Sequence, residues 1–142
     1  MNFIYIMVIA ASLICCSSAN NTKTLINNNL VGKWKWVSTN GGIASQIHKT
    51  PLTIDKNIKL TLSKNYIFSI TENTNIVLEG TYSLSQKKSI YDGEMKTFIH
   101  LSDNYENQNI VVTGIVTFIS NAELHISDNK HDGLGSVFKK EN

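Results

Sequence analysis

The chain has 142 residues, of which 42% are hydrophobic and 17% charged, with a formal net charge of +2. That length suits one ordinary domain, and that composition is globular rather than disordered. Its Lys residues are scattered, in pairs at most (Lys87–Lys88 and Lys139–Lys140), which excludes the clustered basic face of a nucleic-acid-binding protein.

Residues 3–16, FIYIMVIAASLICC, form an almost unbroken apolar run. The run is too short for a membrane-spanning helix, which takes about 20 residues. It fits the apolar region of an export signal, although Met1-Asn2 supplies no basic side chain. Its end, Leu13-Ile14-Cys15-Cys16, resembles a lipobox. The resemblance implies a lipoprotein signal peptide over residues 1–15 and lipid attachment (palmitate among the acyl chains) through the Cys16 thiol. Cys15 is the alternative attachment point, and an ordinary cleaved signal is the plainer alternative. Residues 16–29 then read as a polar tether, because the Asn- and Ser-rich stretch SSANNTKTLINNN disfavours regular structure. No cysteine follows Cys16, so the folded part holds no disulfide and no thiolate metal site.

From residue 30 the apolar positions recur with a period of two. Trp34 and Trp36 share one parity, and Lys33, Lys35 and Val37 the other. Asn40-Gly41-Gly42 marks a turn, and Pro51 opens or edges a strand. Ile58, Leu60 and Leu62 alternate with polar residues, and so do Tyr66, Phe68 and Ile70; with Lys64-Asn65 between them, they read as a hairpin. Ile76, Leu78, Gly80, Tyr82 and Leu84 share the next face. Residues 86–96 read as a long loop, 97–101 as a strand and 103–109 as a polar loop. Residues 110–120 are the longest β-branched run, with Gly114 as a bend or bulge. Residues 123–127 and 136–140 complete the set. About eight or nine short strands without a long helix predict an all-β meander over residues 30–142. Sequential hairpins favour an up-and-down antiparallel barrel of about eight strands.

Gly32-Lys33-Trp34 matches the G-x-W signature of lipocalins. The opening block GKWKWVSTNGGIA, the Thr50-Pro51 pair and the closing Val137-Phe138-Lys139-Lys140 resemble the lipocalin-like, calycin-type lipoproteins of Bacteroidota. The resemblance implies that Gly32 and Trp34 form the barrel-closing motif, with Lys139 or Lys140 stacked on the tryptophan in place of the usual Arg. In such lipoproteins an acidic run after the cysteine marks surface export. This chain has none there, which favours an outer-membrane lipoprotein facing the periplasm.

The residue types needed for catalysis are not gathered by spacing. His48, His100, His125 and His131 stand at no metal-ligand interval, and His125 shares parity with Glu123 and Ser127, so it faces water. Residues 128–133 have a Lys where a calcium loop needs its third-position oxygen ligand, so they read as a turn. No G-x-S-x-G elbow occurs. The reading is therefore a non-enzyme without cofactor or metal. Trp36, Tyr66, Phe68, Tyr82, Phe98 and Phe118 are the candidates to line a cavity for a small apolar or amphipathic ligand, as an eight-stranded barrel can hold one. The same side chains can instead fill the barrel as core. The alternative function is a protein-interaction or inhibitor module acting through loops 40–45, 86–96 and 103–109. In either reading the membrane is a partner through the anchor, and nucleic acid is not.

Overall fold

In the computed structural model, residues 25, 27–106 and 109–142 are described. The apolar leader, Cys15, Cys16 and residues 17–24 of the tether lie outside them. Period-two alternation produces nine strands: β1 (Gly32–Gly41), β2 (Ile47–Lys49), β3 (Ile58–Leu62), β4 (Ile67–Glu72), β5 (Asn75–Lys88), β6 (Met95–Leu101), β7 (Gly114–Ser120), β8 (Glu123–Ser127) and β9 (Leu134–Glu141). Each of β4 to β9 pairs with the strand before it, β3 joins β1, and β9 returns to β1 in antiparallel register. The result is a closed eight-stranded antiparallel β-barrel, with β2 as an extra strand on the far half of β1. One edge of β1 is shared: Gly32–Lys35 pair with β3, and Thr39–Gly41 pair with β2.

The barrel is filled by the inward side chains. Trp34, Trp36, Leu60, Phe68, Ile70, Ile99, Leu124 and Phe138 are fully buried. Each such side chain contributes roughly 1.5–3 kcal/mol on burial. A bulge between Trp36 and Ser38 shifts the parity of β1, so that Thr39 rather than Ser38 turns inward. Trp36 Nε1 donates to Thr39 Oγ1 at 3.0 Å, the Thr39 and Ser136 hydroxyls share a 2.6 Å bond, and the Val111 backbone N–H donates to Ser136 at 2.7 Å. That buried chain ties Val111 to the barrel wall.

The two ends are closed differently. At one end Ile110, Val111 and Val112, buried and outside any strand, fold in ahead of β7. The β-branched run 110–120 is thus not one strand. It breaks at Gly114, where a Cβ would stand 2.2 Å from the Ser127 carbonyl oxygen. At the other end the chain before β1 packs against the barrel. Asn27 is 5% exposed, and its amide donates to Tyr82 Oη at 2.6 Å and to the Ser63 carbonyl at 3.1 Å. Asn27, within the 16–29 stretch read as a tether, thus packs on the folded body.

Other local readings also change. Pro51 opens a one-turn helix, α1 (Pro51–Ile54), not a strand, because Thr50 and Thr53 form a reciprocal capping box around it. A register shift between Ile70 and Thr71 opposite β5 turns Ile76 outward, and both Ile76 and Val77 are exposed. The loop read over residues 86–96 is shorter than expected, since β5 and β6 pair out to Lys88 and Met95 and leave only residues 89–94 outside the strands. Past Thr81, β5 has only β6 as a ladder partner, so the hairpin projects beyond the wall.

Candidate functional site

The end of the barrel where β1 begins is built around Trp34. Its Nε1 donates to the Leu30 carbonyl at 2.7 Å, which holds the preceding segment across the opening. Lys140, paired with Trp34 across β1 and β9, places Nζ 5.3 Å from the indole centroid, within cation–π range. Of the two lysines offered by the sequence, this is the one brought to the tryptophan. Phe118 lies against the same indole, with centroids 6.2 Å apart.

Phe118 is paired with the buried Leu124 and so has inward parity, yet it is 38% exposed. A cleft of about 180 Å³ opens beside it, lined by Leu25, Asn29, Leu30, Leu84, Thr97, Val116 and Phe118. Leu84 and Thr97 have the inward parity of Tyr82 and Ile99, so the cleft is the mouth of the barrel. A second cleft of about 230 Å³ shares Asn29 and Phe118 and is otherwise polar, bounded by Asn28, Asn121 and Lys140. An apolar recess and a polar, cationic recess thus meet at one aromatic ring.

The other predicted ligand residues are placed elsewhere. Trp36 and Phe68 are buried in the core. Tyr66 and Tyr82 form a tilted pair with centroids 5.3 Å apart. Their hydroxyls donate to the Leu25 and Ser63 carbonyls at 2.9 and 2.7 Å, so they clamp the end where β1 begins. Burial holds the Tyr82 phenol above its ordinary pKa, against the lowering effect of the Asn27 hydrogen bond. Phe98 does not face the interior: the inward residues of β6 are Ile99 and Leu101, and Phe98 lies outside with Lys87 Nζ 3.8 Å from its ring centroid. The sequence marks none of Leu84, Thr97 and Val116 as a ligand residue, and it offers Lys140 only as a partner of the tryptophan. Parity alone marks them as inward, but nothing local marks them as uncovered. Gly32 and Trp34 do occupy one end of the barrel. A Cβ on Gly32, whose φ is +145°, would stand 2.8 Å from Lys140 Cε, so the glycine leaves room for the lysine.

The outer wall carries a larger cleft, of about 660 Å³. Its floor is a row of directly paired residues crossing four strands: His48 on β2, Asn40 on β1, Gly135 on β9 and Ser127 on β8. The imidazole of His125 lies over Gly135, where a Cβ would be 2.3 Å from Nε2. Burial lowers the His125 pKa from its ordinary value, with Glu123 acting in the opposite sense. One wall is Tyr91, at the tip of the β5–β6 hairpin. The tip is bound to the β8–β9 turn: the Tyr91 hydroxyl donates to the Lys130 carbonyl at 2.9 Å, and Asn129 accepts from Ile90 N–H and donates to the Lys88 carbonyl. Loops 40–45 and 86–96 thus meet at this cleft through Gly41, Ser45 and Tyr91.

Elsewhere the ionisable groups serve local structure. Asp128 Oδ2 accepts from Leu134 N–H at 3.2 Å and pairs with Lys130, which makes 128–133 a side-chain-stabilised turn. The hydrogen bond from Lys96 and the Glu94 backbone N–H lower the Asp92 pKa to about 2. Among the described residues no three His, Cys, Asp or Glu side chains gather as a metal site. No protein-family model, curated protein or solved structure matches the chain.

Proposed function

We propose that this protein is a non-catalytic binding barrel of the cell envelope, tethered through Cys16, that takes the apolar tail of a small anionic amphiphile at its Trp34 mouth. The observation that carries the reading is the junction at Phe118, where an apolar recess meets one holding Lys140. The tail would lie among Leu30, Leu84 and Val116, and the head against Lys140, Asn28 and Asn121. Each methylene that leaves water would contribute about 0.8 kcal/mol. The site differs from the lipocalin expectation in depth: the ligand sits in the mouth, because the barrel interior is occupied by Trp36, Phe68 and Phe138.

The anchor fits this arrangement. The folded body starts at the same end, and the nine peptide steps from Cys16 to Leu25 reach at most about 30 Å. A lipid on Cys16 therefore keeps the mouth near the membrane surface, where amphiphiles concentrate. The lipocalin-like resemblance and a periplasm-facing outer-membrane location belong to the same reading.

Native mass spectrometry of protein purified from its host membrane tests the ligand. An amphiphile adduct on the wild type that is lost in Phe118→Asp supports the reading; an adduct-free wild type refutes it. Palmitate labelling tests the anchor, and labelling that persists unchanged in Cys16→Ser removes that cysteine from the role.

A further inference from the structure

We propose that the outer-wall cleft, a site separate from the barrel mouth, binds a neutral sugar chain. At about 660 Å³ it has the size of an ordinary small-molecule site, roughly 300–1,000 Å³. No Lys, Arg, Asp or Glu lines it, so it has no permanently charged side chain to pair with a phosphate or carboxylate ligand. Its polar groups are the Asn40 amide, the Ser45 and Ser127 hydroxyls and the His48 and His125 imidazoles. Asn40 is fixed by its bonds to His48 Nδ1 and the Ser38 hydroxyl, and the remaining donors and acceptors of the amide, the hydroxyls and a neutral imidazole suit the hydroxyls of a sugar.

The cleft also supplies an apolar face in the right form. Tyr91 is 61% exposed, but its hydroxyl is held by the Asp128 and Lys130 carbonyls. The ring is thus a fixed, open wall, and a sugar's C–H face can pack on it with little loss of side-chain freedom. Two glycines make room for the groups that form the cleft. A Cβ on Gly133 would approach the Tyr91 hydroxyl to 3.2 Å, and one on Gly135 would displace the His125 ring. The hydrogen-bonding row and the tyrosine therefore flank one hollow. Burial, which favours the uncharged form of His125, agrees with a site for a neutral ligand.

The test is an array of neutral hexose and N-acetylhexosamine oligomers, with sulfated and carboxylated oligomers beside them, probed with the full chain in a detergent without a sugar headgroup. Binding to neutral oligomers that weakens by at least about tenfold in Tyr91→Ala and in Asn40→Ala, but not in the exposed-site control Leu52→Ala, is the expected result. Tyr91→Ala removes a side chain from a surface hairpin, so its folding is checked by the unchanged melting of the barrel. Binding to no neutral oligomer, binding only to the charged ones, or neutral binding that both cleft variants leave intact would overturn the proposal.

Discussion

Lys140 lies over Trp34, its directly paired neighbour across the closing strands, with 5.3 Å between Nζ and the ring centroid. The contact closes the barrel seam at the end where β1 begins. Trp34→Ala empties the largest buried volume there and is expected to cost about 3–5 kcal/mol in chemical denaturation. Lys140→Ala loses an exposed cation–π contact, about 0.5–1 kcal/mol, and Lys140→Arg retains it, since a guanidinium stacks at least as well. Equal stability of Lys140→Ala and wild type would show that the contact contributes nothing.

The hydroxyls of Thr39 and Ser136 join the bulged strand to the plug at Val111. Ser136→Ala leaves the buried Val111 N–H without its acceptor, a loss of about 1–3 kcal/mol. Because Thr39 and Ser136 share one bond, Thr39→Val combined with Ser136→Ala should cost less than the two single losses added. Urea denaturation of the four proteins in that cycle measures the difference, and strict additivity would rule out the coupling.

Asn27 holds the segment before β1 on the barrel by donating to Tyr82 and to the Ser63 carbonyl. Asn27→Ala is expected to destabilise by about 1–3 kcal/mol and to speed hydrogen exchange at the turn that includes Ser63. Unchanged exchange there would place the stability of that end elsewhere.

Stability should also depend on pH through His125. Its folded pKa is lowered by burial, so the unfolded chain binds the proton more readily. Stability is then full above the unfolded value of about 6.5 and falls as the pH drops from there toward the lower folded value. The Asp92 contribution lies in a separate window, lost only as the pH falls from 3.8 toward about 2. Thermal melts across pH 8 to about 5 should show the His125 decline in the wild type, and His125→Gln should flatten it.

Much of the barrel is legible in the sequence because alternation is a local signal. Ile58, Leu60 and Leu62 face inward as their spacing requires, and Trp34 and Trp36 begin the closing strand. The misplacements come from single-residue offsets. Phe98 alternates correctly with Ile99, but which of the two faces inward is set by pairing with β5 and β7. The register shift beside Ile70 reverses Ile76, and no residue type marks it. The break at Gly114 is visible as a glycine, whereas the folding-in of Val111 depends on Ser136, 25 residues away. Phe118 was recognisable as an aromatic in a strand; its exposure at a mouth follows from how far Leu25 and Leu30 extend across it. The outer cleft needed tertiary information altogether, because His48, Asn40, Gly135 and Ser127 meet only after four strands pair.

Trp34 reports directly on the proposed binding mouth, since Phe118 stands 6.2 Å from it. A brominated medium-chain carboxylate, kept below its micelle concentration, quenches an indole only on close approach. Titrated into the full chain, it should quench tryptophan emission saturably, more weakly in Lys140→Glu and not at all in Phe118→Asp. Linear, non-saturating quenching that is the same in wild type and both variants would mean that the mouth binds no amphiphile.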